Sequence, residues 1–206
     1  MLGSAFVVLA CIFLPVLNGT ASAQTFGAPT GHDQGQWSIG VYGGALTKRS
    51  FLSSFYNSDP QFTLSYIAAM SGSYVLHHFT ALPADLELDA TIAKRFGKDH
   101  EWDLSILPMV RWKSLPWNHV LYTNLRVGLL GASYVTGISP WERQRAGNDH
   151  GSRYLNFIAV ELDFKPSETS QTEFFIRSHH RSGIFGLINN THGGSTYITT
   201  GVRWHF

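Results

Sequence analysis

Near the C-terminus, His180 and Ser182 stand in the run Glu173-Phe174-Phe175-Ile176-Arg177-Ser178-His179-His180-Arg181-Ser182. On a pleated strand, residues i and i+2 point to the same face. The imidazole and the hydroxyl can then approach hydrogen-bonding distance, as activation of a serine nucleophile by a general base requires. Two polar residues at a membrane rim, bonded to water or lipid headgroups, show the same spacing. His179 points to the face opposite His180, so the two do not readily share one ion. The ten histidines include no HExxH or Cys/His cluster, and no metal or cofactor is expected. A second group of candidates is ionic: Asp85, Glu87, Asp89, Glu161 and Asp163 against Arg111, Arg126, Arg177 and Arg203. Paired carboxylates can serve acid–base chemistry, but their spacing does not separate that from a paired polar filling of a narrow interior.

The segments that must carry these residues have strand character, in pieces of about ten residues divided by Gly, Pro, Asn and Asp clusters, about eight in all. They run Trp37 to Leu46, roughly Thr63 to Leu76, Asp85 to Ile92, Glu101 to Trp112, Val120 to Tyr134, Tyr154 to Phe164, and the hairpin Glu173 to Phe206. The third alternates strictly, with Asp85, Glu87 and Asp89 on one face and Leu86, Leu88, Ala90 and Ile92 on the other. A soluble sandwich would turn the leucines inward, and a membrane barrel would turn them to lipid. The connections decide between them. Thr47 to Phe62, Thr136 to Gly151 and Gly183 to Ser195 are long, whereas His77 to Ala84, Lys113 to His119 and Lys165 to Thr172 are short. Long outer loops over short inner turns predict an all-β, antiparallel up-and-down transmembrane β-barrel. Arg95 to His100 is the exception, an outer connection that is short. Helix signals are nearly absent.

Composition agrees with a lipid-facing chain. Charged residues are 14% and aromatics 14% of the 206 residues, low in charge and rich in aromatics for a soluble domain. A net charge of +1 and the absence of any binding signature argue against nucleic acid. The apolar run Ala5 to Leu17 followed by Ala21-Ser22-Ala23 predicts a cleavable secretory signal over residues 1–23, leaving residues 24–206 as the barrel. Cys11 lies inside the apolar run, so removal of the signal leaves no cysteine for a disulfide. The expected location is the bacterial cell outer membrane. The last strand, ending in Phe206, is the segment through which the barrel assembly machinery would take the chain. Trp37, Trp102, Trp112 and Trp204 fit interfacial girdles.

The residues His180-Arg181-Ser182-Gly183, the Gly-rich loop after them and the end Gly201-Val202-Arg203-Trp204-His205-Phe206 resemble the lipid A 3-O-deacylases of the PagL type, which are eight-stranded outer-membrane barrels. Leu86-Glu87-Leu88, Arg111-Trp112, Pro116-Trp117-Asn118 and Glu161-Leu162-Asp163-Phe164 look like those of related acyloxyacyl hydrolase-like barrels. The resemblance implies Ser182 as the nucleophile that attacks the 3-linked ester of lipid A and His180 as its general base. Where that family usually has Asn after the serine, to help form the oxyanion hole, this chain has Gly183, which offers only a backbone N–H. Where the family has an orienting acid on the last strand, this chain has Gly194, and no Asp or Glu follows Glu173. Asn189, Asn190, Ser195 or an acid from an adjacent strand are the candidate substitutes.

Two functions follow from the sequence. One is a serine esterase acting on lipid A, with lipopolysaccharide as its partner. The other is a non-catalytic outer-membrane barrel with a structural role, or one that binds a lipid or protein through its outer loops. Lys48-Arg49, Lys94-Arg95 and Arg143-Gln144-Arg145 could meet lipopolysaccharide phosphates or remain solvated loop charges.

Overall fold

The computed structural model describes residues 36–56, 58–147 and 150–206. The expected signal peptide, residues 1–23, lies outside the described residues, as do residues 24–35. Period-two alternation produces eight strands: β1 Trp37–Thr47, β2 Phe62–His78, β3 Ala84–Gly97, β4 Trp102–Trp112, β5 Tyr122–Val135, β6 Tyr154–Lys165, β7 Thr172–Ser182 and β8 Gly194–His205. Each pairs antiparallel with the next, and β8 pairs back to β1, so the sheet closes as an up-and-down barrel. Closure leaves no open edge, the condition for crossing a bilayer with strands.

Inside and outside are reversed relative to a soluble barrel. Ile39 and Val41 on β1, Leu104, Ile106 and Val110 on β4, and Phe174 and Ile176 on β7 are exposed around the outer wall. Trp37 and Trp204 lie on the neighbouring strands β1 and β8 at the end that carries the termini, Trp204 opposite Ile39 and Trp37 bonded to Phe206, and Trp102 marks the opposite end of β4. Tyr134 and Tyr154, ring centroids 4.8 Å apart, join Trp102 at that end. An apolar band between aromatic girdles is the surface that a bilayer stabilises and water does not.

The interior is a filled ionic lattice. Arg111 donates from Nε to Glu87 (2.6 Å) and from both Nη atoms to Glu173 (3.0 and 3.1 Å). Arg126 binds Glu161 (2.6 Å) and Glu87 (2.6 Å), Arg177 binds Glu161 (2.5 Å) and Asp89 (3.0 Å), and Arg203 binds Glu173 (2.5 Å) and Glu161 (2.7 Å). These groups are sealed from solvent, where only pairing offsets the cost of burying charge. The expected lumen acids and arginines therefore meet as a plug. Glu173 belongs to it, while Asp85 sits at the rim with Lys113 and His78. Small apolar clusters, Leu107, Met109, Phe157 and Ala159 in one and Leu46, Ile67, Ala93 and Tyr197 in another, share the interior.

Three departures from the sequence reading matter for the site. β3 continues well past Ile92 to Gly97, so strand parity carries Arg95 into the lumen, fully buried against Asp103 and Glu142. Arg95 is therefore no outer-loop phosphate contact, and the short connection after it is a tight turn in which Gly97 adopts φ +86. Pro108 stays within β4 but sits where pairing with β5 slips, between Ile106 and Val110, where a missing N–H does least harm. Finally, the connection from β5 to β6 contains a short helix, α1 Pro140–Ala146. Ser139 caps it by accepting from the Glu142 N–H, Pro140 opens it, and Gly147 ends it at φ +74. Ser139-Pro140-Trp141-Glu142 is a capping-box pattern, so the helix signal was present in the sequence.

Candidate active site

The site is built on the outer ends of β7 and β8. Register sets Arg181 opposite Ser195, His180 opposite Thr196, and Ser182 opposite Gly194. His179 and Arg181 are buried in the lumen, whereas His180 and Ser182 project to the outer wall and are half-buried. His179 bonds Tyr42 Oη (3.0 Å) inside the barrel, on the other side of the sheet from His180.

His180 is held on two sides. Its Nδ1 lies 2.8 Å from Thr196 Oγ1 and 3.1 Å from the Ser195 carbonyl oxygen. Its ring stacks on Phe51, centroids 4.7 Å apart and planes 23° apart, and Phe51 in turn packs edge-on against Phe55. Phe51 comes from the long β1–β2 loop, which a 3₁₀ turn over Leu52–Phe55 folds back toward the wall. A histidine at an open rim was one sequence expectation; here the loop covers its ring.

Ser182 Oγ accepts a hydrogen bond from the Ile184 N–H (3.1 Å), and none joins it to His180 among the described residues. Catalytic hydrogen bonds of this kind often tighten only when substrate binds. Ile184 and Phe185 both lie at positive φ (49 and 54), a region costly for bulky side chains, directly after the serine. The Gly183 N–H is turned to the Gly193 carbonyl (3.3 Å), so this expected oxyanion donor is engaged in the hairpin. A Cβ at position 183 would stand 1.7 Å from the Thr191 carbonyl oxygen, so the backbone here accepts Gly and would have to move for the Asn of the deacylases.

The substitutes for the missing acid can now be placed. A Cβ at Gly194 would lie 1.8 Å from the Arg181 carbonyl oxygen, so no carboxylate fits there without displacing β7. Asn189 donates to Ser152 Oγ (2.7 Å) rather than to His180. Ser195 reaches His180 through its carbonyl, while its hydroxyl donates to Glu142 Oε1 (2.6 Å). Glu142 also receives Arg95 (3.0 Å) and Arg181 (2.5 Å). Burial pushes its carboxyl up, but Arg95 and Arg181 outweigh that and hold it below the usual range. Thr196 and Glu142 were not singled out from the sequence. Ser139-x-x-Glu142 marked the helix start, but the register across a long loop gave no sign of which residue would face His180.

No family model matches the chain, and no curated protein matches it either. Solved structures do. The barrel resembles the crystal structure of the outer membrane enzyme PagL. The match has a TM-score of 0.59 at 13% identity and covers 82% of this chain and 99% of that one. Neisserial surface protein A (NspA) matches with a TM-score of 0.44 at 12% identity, over 83% and 97% of the two chains. At 13% identity the likeness to PagL speaks to architecture alone: a closed eight-stranded barrel of the kind found in the outer membrane. The apolar wall and aromatic girdles suit such a barrel to a bilayer.

What the geometry can do chemically is limited and specific. It presents a hydroxyl and an imidazole on a lipid-facing wall, at the end where the long loops emerge. A cavity of about 670 Å³ also opens at that end, lined by Leu46, Lys48, Phe62, Leu64, Lys98 and Trp141 among others, but neither His180 nor Ser182 lines it.

Proposed function

We propose that the protein is an outer-membrane serine esterase that removes the 3-O-linked acyl chain of lipid A. Ser182 Oγ attacks the ester carbonyl carbon while His180 Nε2 takes its proton. Collapse of the tetrahedral intermediate expels the sugar oxygen, which recovers that proton, and water then releases the fatty acid from Ser182. For the Gly183 N–H to stabilise the oxyanion, it must exchange the Gly193 carbonyl for the substrate oxygen. The observation that carries the reading is the outward pair itself: His180 anchored through Nδ1, with Ser182 two residues on, facing the leaflet in which such an ester lies. Export by the N-terminal signal and insertion through the strand ending in Phe206 belong to the same reading.

A second reading, a non-catalytic barrel, is favoured by two facts: no carboxylate touches His180 among the described residues, and the Gly183 N–H is engaged. Mass spectrometry of lipid A from cells expressing wild type, Ser182→Ala or His180→Ala separates them. Loss of one hydroxyacyl mass with wild type alone is expected of the esterase. Identical spectra from all three, with each protein folded in the outer membrane, leave the non-catalytic barrel.

A further inference from the structure

The geometry points to Thr196 as the residue that positions His180 in place of a carboxylate, with the Ser195 carbonyl as the second acceptor; this rests on the esterase reading of His180 and Ser182. Thr196 is directly opposite His180 in the β7–β8 ladder. It lies on the outer wall by parity, yet it is only 3% exposed; it bonds His180, whose ring in turn stacks on Phe51. Its Oγ1 is the closer of the two atoms that Nδ1 meets, at 2.8 Å.

Donor and acceptor chemistry fixes what this contact does. The Ser195 carbonyl can only accept, so Nδ1 must carry the ring proton to bond it. Thr196 Oγ1 then serves as a second acceptor for that proton. Nε2 is left with a free lone pair, the form a general base needs. In a Ser-His-acid triad the acid performs two tasks: it selects this tautomer and orientation, and it stabilises the imidazolium that forms as the serine proton is taken. A hydroxyl and a carbonyl perform the first task. For the second they offer dipoles without a full charge. Glu142, linked to the site through Ser195 Oγ, already answers Arg95 and Arg181. The site is therefore oriented but not charge-balanced, and catalysis through it should be slow and open to improvement at one position.

The test uses the full-length barrel refolded in detergent micelles, with lipid A as substrate and ¹⁵N-labelled histidine. The imidazole nitrogen shifts of His180 should report the Nδ1–H tautomer in wild type. Thr196→Val keeps the shape and removes the hydroxyl; it should lower kcat roughly ten- to hundredfold at unchanged KM, the scale of one hydrogen bond to a group that becomes charged. Thr196→Ser should restore most of that, and Thr196→Asp should raise kcat above wild type and move the acidic limb of its pH profile. An Nε2–H tautomer in wild type overturns the inference whether or not the protein is active. So does Thr196→Val with wild-type kcat and an unmoved Nδ1–H shift; if Ser182→Ala is dead in the same assay, the esterase reading survives that failure. If wild type and Ser182→Ala are equally inert, the esterase reading fails, and the Nδ1–H proton shift still decides the role of Thr196: it should move in Thr196→Val, where the closer acceptor is gone and the Ser195 carbonyl alone holds the tautomer, and an unmoved shift overturns the inference.

Discussion

Replacing Glu161 by Gln tests whether the ionic lattice holds the barrel together. The substitution keeps the volume and removes one charge at the point where three guanidiniums converge, Arg126 at 2.6 Å, Arg177 at 2.5 Å and Arg203 at 2.7 Å, all without solvent contact. Breaking a buried pair typically costs about 3–5 kcal/mol. Each of the three arginines retains another acid, Glu87 for Arg126, Asp89 for Arg177 and Glu173 for Arg203, which argues for the lower end, about 3 kcal/mol. That is roughly a hundredfold or more in the unfolding equilibrium. Asp85 is the internal control: its partners Lys113 and His78 are partly exposed, so Asp85→Asn should cost about 1 kcal/mol or less. Urea unfolding in phospholipid vesicles, followed by tryptophan fluorescence and by the mobility shift of the folded band, reads both. If Glu161→Gln unfolds at the same midpoint as Asp85→Asn, the lattice is a passive filling and the reasoning is wrong.

Two further outcomes follow from the outer end. Gly194→Glu, which restores an acid at the position the deacylases use, should not raise activity. Its Cβ would collide with the Arg181 carbonyl, so the expected result is a loosened β7–β8 hairpin, seen as faster amide exchange; a gain in lipid A hydrolysis would show that the strands yield more easily than their spacing implies. Acid should also loosen the outer cap. The Glu142 carboxyl is held lower in the folded chain than in the unfolded one, so its contribution is full above the unfolded value of about 4.3 and is lost as pH falls through the lower folded value. Limited proteolysis of the β5–β6 connection should therefore accelerate in that acid range and much less so in Glu142→Gln; equal acceleration in both would remove Glu142 as the cause.

The division between sequence and tertiary structure runs along the physics of a strand. Local alternation is enough to tell which residues share a face, so the apolar wall, the lumen acids from Glu87 to Asp163 and the outward parity of His180 and Ser182 were legible from residue order alone. Long and short connections then gave the closed up-and-down barrel. What alternation does not contain is where a strand ends and which residue it faces. The unread length of β3 hid Arg95 in the lumen. The Gly183–Gly193 connection left the register of the last hairpin open, so only the folded pairing brings Thr196 to His180 and turns the Gly183 N–H to Gly193. Phe51 over His180 and Glu142 behind Ser195 come from loops distant in sequence, whose positions depend on closure of the whole sheet and on pairing of buried charge, which no local pattern encodes.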